Sequence, residues 1–377
     1  MDLLVKNIES KHVLWLENRN QYLILESDFL QVLKEVLKFK TKLELLEFCT
    51  TNLCFSAKNA NIIIDTCVWI RDENKSNFTK KPLPLSSTLP NITSQLLFTY
   101  CYNSKRIKVQ YSSEELAQRL HHKYKHLCEK YAKNSIVDAS IIIQEFMADF
   151  YLIVNGVCIG KWKESDFHFM QGKFSMSLLN LFNTKTDEDW LAVLHASAVS
   201  IEDNSIVFLG ESGSGKSTAT ALLTLNGFDL LADDFVPIDA VSQCLVSFPA
   251  AISIKESVFE MFEPYFPELI NSPIREKNNV TKFKYLYPYS KNNLQCRYVN
   301  TKALVFIKYS ANTANSLIKI SKISALERLI PDSWISPNRK NVTAFLNWVI
   351  SVPCYTLEYN QPTYLIDVSL KLIDNEL

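Results

Sequence analysis

The sequence predicts a mixed α/β protein, in which a phosphate-loop α/β region makes up most of the chain and follows a small α+β domain. Three observations carry that prediction. Residues Gly210 to Ser217 spell a complete G-x-x-x-x-G-K-[ST] loop, set between an apolar run, Ser205 to Leu209, and a helix-forming run, Ser217 to Leu225. The next apolar run, Phe228 to Ala232, ends in two adjacent carboxylates, Asp233 and Asp234. The first stretch, roughly 75 residues, shows strand-like alternation followed by helical runs, a pattern of its own.

The bulk composition agrees with a folded chain. At 377 residues, two or three domains are expected, and 47% hydrophobic residues argue against long disorder. Forty basic residues balance forty acidic ones, which gives no reason to expect nucleic acid or an anionic membrane as a partner. No uncharged apolar run reaches the length of a membrane span, and Met1 to Lys6 lacks a signal-peptide layout. Nine scattered cysteines with no C-x-x-C pair point to reduced thiols and a cytoplasmic location.

In chain order, His12 to Leu16 and Gln21 to Leu25 read as paired strands around the turn-prone Asn18 to Asn20. Asp28 to Lys38 and Lys42 to Cys49 read as helices, and Asn61 to Asp65 as either helix or strand. Residues 1–80 therefore form the first domain. Asp72 to Pro90, with Pro82, Pro84 and Pro90, reads as a linker, and residues 91–377 form the second region with a core at 190–260. In it, Leu96 to Tyr102 and Arg106 to Tyr111 read as strands and Ser113 to Lys133 as a charged helix. Asp149 to Lys161 reads as a hairpin turning at Asn155-Gly156, a pair suited to positive φ. Asp166 to Phe182 reads as a helix. Leu191 to Ile201 and Ser205 to Leu209 flank the turn at Glu202 to Asn204. Strands are expected at Thr301 to Tyr309, Ser316 to Ser321 and Tyr355 to Tyr359. Helices are expected at Ser324 to Ile330, Asn341 to Ser351 and from Thr363 to the end.

The loop has the chemistry to hold ATP. Gly210, Gly213 and Gly215 let backbone N–H groups turn inward, and the helix that follows aims its positive end at the same point. Lys216 can reach the β- and γ-phosphates, and the Ser217 hydroxyl can sit on Mg²⁺. Candidate nucleotide-binding residues are thus Gly210, Glu211, Ser212, Gly213, Ser214, Gly215, Lys216, Ser217 and Thr218. The bland alternative, a glycine turn before a helix, leaves the Lys-Ser pair unexplained. Asp233 and Asp234 lie 17 and 18 residues after Lys216, on the very next strand. Neighbours on a strand face opposite ways, so one carboxylate can hold Mg²⁺ while the other takes a proton from an attacking hydroxyl. The alternative is a solvated pair of strand-end aspartates.

Together these features resemble the catalytic domain of HPr kinase/phosphorylase, a family in the same structural group as phosphoenolpyruvate carboxykinase. The resemblance is sharpest over 45 residues, His195 to Asp239, in Leu194-His-Ala196, Gly210 to Ser217 and Ala232-Asp-Asp234. It implies a phosphoenolpyruvate carboxykinase-like P-loop fold, Asp234 as general base with Asp233 beside it, and His195 as an active-site residue. Ser247 to Glu256 is similar to the following strand of more distant kinase-like members, which implies Glu256 as a further Mg²⁺ ligand beside Ser217 and Asp233, and Lys255 as a phosphate contact. Arg275, Lys282 and Lys284 are candidates for the cation that a phosphoryl transition state needs, against the plainer reading of three solvated surface charges. The chain lacks the Leu-Glu-x-Arg-Gly run of HPr kinases. The first domain resembles the PqqD-like peptide-binding module on Trp15-Leu-Glu-Asn18 and Tyr22 to Leu25, which implies capture of a leader peptide by an exposed strand edge. His121, His122 and His126 include an i, i+4 pair, but with Arg119, Lys123 and Lys125 around them they read better as a solvated basic helix face than as a metal site.

The function expected is an ATP- and Mg²⁺-dependent kinase that phosphorylates a hydroxyl, foremost a serine of a peptide or protein, with no nucleic-acid or membrane partner and with homo-oligomerisation left open. Its rivals are a kinase of free serine, a nucleotide-binding regulator without chemistry, and a plain ATPase.

Overall fold

The computed structural model describes residues 3–38, 40–75, 96–129, 136–277, 281–287 and 295–377. The protein is mixed α/β with several sheets. The chain divides into two compact units. One is Met1–Pro84 with Ile320–Pro331 and Ile335–Ser351; the other is Leu85–Lys319 with Asp332–Trp334 and Val352–Leu377. The first unit thus takes in a C-terminal excursion that a contiguous division at 80 and 91 does not contain. No helix among the described residues is long and apolar enough to cross a membrane.

In the first unit, β1 (Leu4–Ile8), β2 (Lys11–Leu16) and β3 (Gln21–Leu25) form an antiparallel sheet in that order. The β2–β3 pairing is the expected one, with Asn20 in the left-handed region at φ 48°. β1 had no signal in the sequence beyond a short apolar start. Helices α1 (Ser27–Leu37), α2 (Lys42–Thr51) and α3 (Ala57–Lys75) follow. Their apolar faces meet the sheet in a core of Leu14, Leu16, Leu33, Val36, Leu45 and Ile64. Asn61 to Asp65 is therefore helical, and α3 continues through Asp72, where the linker was expected to begin. The remainder of that linker, from residue 76, lies outside the described residues.

The second unit begins with a five-stranded sheet of β4 (Leu96–Tyr102), β5 (Lys105–Tyr111), β6 (Ala139–Phe146), β7 (Asp149–Val154) and β8 (Val157–Lys163), in sequence order. The β7–β8 hairpin turns at Asn155 and Gly156, φ 48° and 80°, as its Asn-Gly pair predicts. β5 and β6 are parallel, so a crossover must join them. It is made of α4 (Glu114–Leu120) and a 3-10 run, His121–Leu127, where one long charged helix over 113–133 was expected. Residues 130–133 of that expectation lie outside the described ones. The solvated face does not form either. His121 is buried and bonded to the Tyr100 hydroxyl at 2.8 Å, and burial pushes His121 and His122 down to about 4.

After α5 (Phe167–Asn183) come β9 (Trp190–Leu194), β10 (Ser197–Ile201), β11 (Asn204–Leu209), α6 (Lys216–Thr224), β12 (Asp229–Asp233), β13 (Val236–Asp239), β14 (Leu245–Val246), β15 (Ile252–Lys255), α7 (Phe259–Phe262), β16 (Arg275–Lys277), β17 (Thr281–Leu286) and β18 (Tyr298–Tyr309). The chain ends with β19 (Ser316–Lys319), α8 (Lys322–Leu329), β20 (Ser333–Ile335), α9 (Arg339–Ser351), β21 (Cys354–Tyr359) and α10 (Pro362–Ile373). The main sheet runs β12-β10-β11-β18, with β18 also pairing β21. β11 lies parallel to β18 and antiparallel to β10. The strand that feeds the glycine loop, β11, and the strand that ends in Asp233, β12, are therefore separated by β10 alone. Ala219 and Leu223 of α6 pack with Phe208, Val305, Leu357 and Leu365 against the sheet, and Ala221 packs with Ile252, Ile254 and Phe259 on the other side. Apolar contact on two faces fixes the helix, and with it the loop at its N-terminus.

Candidate active site

Gly210, Gly213 and Gly215 hold φ of 143°, 93° and 102°, values open to glycine and strained for other residues. Gly215 is the N-cap of α6, so the helix starts at Lys216. Glu211 and Ser212 are exposed at the loop's crest, and the Ser214 N–H donates to Glu211 O at 3.1 Å. Thr218, the third residue of α6, is half-buried. The Lys216 side chain curls back under the loop and donates to Gly210 O at 2.6 Å and Glu211 O at 3.3 Å. Burial lowers its proton affinity below the usual lysine value, against the opposite pull of Asp234, Asp233 and Asp332. The Ser214 hydroxyl is buried with no hydrogen-bond partner among the described residues.

β12 brings the aspartates to this loop. Register pairs Ser197 of β10 with Asp233, and the Ser197 hydroxyl donates to Asp233 Oδ1. The Ser217 hydroxyl reaches both carboxylate oxygens, at 3.1 and 3.0 Å, and the Ser253 N–H donates to Oδ2 at 3.2 Å. Asp233 is 1% exposed, and burial, with the charge of Asp234 beside it, pushes its carboxyl up to about 6. Asp234 differs in every respect. It has left the strand, sits in the left-handed region at φ 70°, and its side chain is 49% exposed. The divergence expected from strand alternation comes instead from this turn.

His195 sits in the bend between β9 and β10, not within a continuous strand over 191–201. Its Nδ1 lies 3.5 Å from Asp234 Oδ1. Burial lowers its proton affinity although Asp234 acts the other way. The second neighbour of Asp234 was not foreseen: Lys123 Nζ, from the 3-10 run, lies 3.1 Å from Oδ2. Burial is the largest single influence and works against its charge, but Asp234, Tyr124, Tyr285 and Asp233 together outweigh it and hold the amine well above the usual lysine value.

The remaining candidates scatter. Lys255 does reach the loop: its Nζ would lie 3.4 Å from a Cβ placed on Gly213. Glu256 is exposed and pairs with Lys282 at 3.7 Å. Arg275 bonds His122 and Gln118 O. Lys284 is not a surface charge. It is buried and donates to Leu269 O at 2.6 Å and Glu263 at 3.3 Å.

The residues fit a metal-bound triphosphate. The Lys216 amine folds under the loop, the Ser214 hydroxyl buried there has no hydrogen-bond partner among the described residues, and two hard oxygen donors, Ser217 and Asp233, meet beside it. Among the described residues no group of three or more His, Cys, Asp or Glu side chains comes together as a closed cage.

Among solved structures, the chain is similar to the HPr(Ser) kinase/phosphatase from Coxiella burnetii, at 10% identity and a TM-score of 0.23, over 49% of this chain and 95% of that one. No family model matches the sequence, and no curated protein does. The reading of the site therefore rests on its own geometry.

Proposed function

We propose that this chain is an ATP- and Mg²⁺-dependent kinase with a phosphoenolpyruvate carboxykinase-like P-loop core, which transfers the γ-phosphate to a hydroxyl, foremost a serine of a peptide or protein. One observation carries the reading: the loop serine, Ser217, bonds the buried Asp233 at 3.0 Å while Asp234, next in sequence, stands apart in a more open setting. A pure binding site has no need of two adjacent carboxylates in such different surroundings.

In this reading Lys216 exchanges its carbonyl contacts for the β- and γ-phosphates, and the loop N–H groups hold the remaining phosphate oxygens. Ser217 and Asp233 would hold Mg²⁺, which would offset charge on the phosphate oxygens. Glu256 is retained as a further candidate metal ligand. Asp234 accepts the proton of the acceptor hydroxyl as its oxygen bonds to the γ-phosphorus and the bond from phosphorus to the bridging oxygen of ADP breaks. His195 orients Asp234. The N-terminal unit is read as the module that presents the peptide, through an edge of its three-stranded sheet.

The test is transfer from γ-labelled ATP to a serine-containing peptide library and to free serine, with Asp234→Asn as control. Loss of about 10² to 10⁴ in turnover with ATP affinity kept is the expected result for removal of a general base. Asparagine tolerates left-handed φ well, so the variant should fold. Label on free serine alone would move the acceptor to a small molecule. Wild-type turnover in Asp234→Asn would remove the base assignment.

A further inference from the structure

The crossover between β5 and β6 has no role in the kinase reading as derived so far, yet it delivers one side chain into the site. Beside Lys123 its main chain is bonded to the phosphate-loop core on both neighbouring carbonyls. The Ala251 N–H donates to Lys123 O at 2.9 Å, and the Tyr287 hydroxyl donates to His122 O at 2.8 Å. Between these anchors the Lys123 side chain, 19% exposed, extends to Asp234 Oδ2 at 3.1 Å. Asp234 itself lies just beyond the end of β12. Its backbone is left-handed, and its carboxylate is half in solvent. On the other side His195 stands at the longer distance of 3.5 Å.

We infer that Lys123 is a positioning residue for phosphoryl transfer: it clamps the Asp234 carboxylate, so that the five-stranded sheet and its crossover complete the active site of the phosphate-loop core. The inference rests on the kinase reading with Asp234 as base. A carboxylate oxygen has two acceptor directions, so Oδ2 can hold the ammonium while leaving the carboxylate able to take a proton. The other charged and titratable groups that face this pair are Asp233, Lys216, Tyr124 and Tyr285. Among the described residues the three candidate cations read from the sequence are engaged elsewhere: Arg275 bonds His122, Lys282 pairs with Glu256, and Lys284 is engaged with Leu269 O and Glu263.

The experiment uses the full chain and compares Lys123→Met, Lys123→Arg, Asp234→Asn and the double variant Lys123→Met/Asp234→Asn. Turnover of γ-labelled ATP on the serine peptide library and affinity for a fluorescent ATP analogue are read for each. Loss of positioning should cost about 100-fold in turnover in Lys123→Met, with nucleotide affinity within about twofold. Lys123→Arg should recover much of that loss, because a cation of similar reach remains. In the Asp234→Asn background Lys123→Met should cost nothing further, because the lysine acts through the aspartate. Full turnover in Lys123→Met, or an undiminished further loss in the double variant, overturns the proposal; the latter would mean that Lys123 acts on the phosphoryl group itself. If the wild type transfers no label, the kinase reading fails on its own account. The melting temperatures of the same four proteins then decide the contact: non-additive shifts support the clamp, and additive shifts remove it.

Discussion

Replacing Asp233 by asparagine should stabilise the metal-free protein and at the same time disable the site. The folded Asp233 carboxyl keeps its proton to about pH 6, and the reference value is 3.8. As pH rises through that window the unfolded chain releases the proton first, so the wild type loses stability, and above the window the loss is constant. Two pH units or slightly more, at 1.36 kcal/mol each, make about 3 kcal/mol. Asparagine is a close copy of the protonated acid. Its amide oxygen can accept from the Ser253 N–H, and its NH₂ can donate to the Ser197 and Ser217 hydroxyls, which now hold Asp233. Urea melts of both proteins in EDTA should agree near pH 4 and diverge as pH rises, with the variant more stable at pH 7.5 by up to about 3 kcal/mol. Added Mg²⁺ and ATP should raise the stability of the wild type and have less effect on the variant. A variant less stable than the wild type at pH 7.5, or a difference that does not change with pH, would rule out a raised Asp233 proton affinity as the cause.

Two further substitutions probe other parts of the account. Gly210→Ala would place a Cβ 2.8 Å from the Ser214 hydroxyl and 2.9 Å from Ile307 O, at a φ that alanine disfavours, and should destabilise by more than about 2 kcal/mol in urea melts. Lys284→Met should leave Leu269 O without its donor, cost about 1–3 kcal/mol, and leave Mg-ATP affinity measured by calorimetry unchanged, since this lysine supports the fold and not the phosphates.

Contiguous signals were the ones legible in the sequence. The glycine loop, the start of α6, the Asn155-Gly156 hairpin and the paired aspartates each depend on neighbours within a few residues, where φ preference and side-chain periodicity act. What was not legible depends on register between distant segments. Ser197 and Ser253 reach Asp233 because β10 lies beside β12 and β15 comes close, and no local pattern announces either contact. Leu191 to Ile201 reads as one apolar run, yet it breaks at His195, where the chain passes from β9, paired with β13, to β10, paired with β11. Lys123 is the clearest case. In a run of His and Lys its neighbours suggest a wet helix face, and only the parallel pairing of β5 with β6 turns that run inward. The alternation rule separated Asp233 from Asp234 for a reason other than the one that operates, the left-handed turn at Asp234.

In the proposed site one loop holds a triphosphate through Lys216 and its metal through Ser217 and Asp233. Calorimetric titration of Mg-ATP into the wild type and Lys216→Ala tests it most directly. A single site is expected, with an affinity that falls about 10- to 100-fold in the variant, the worth of a hydrogen bond to a charged group. Equal affinity in the two proteins would contradict it.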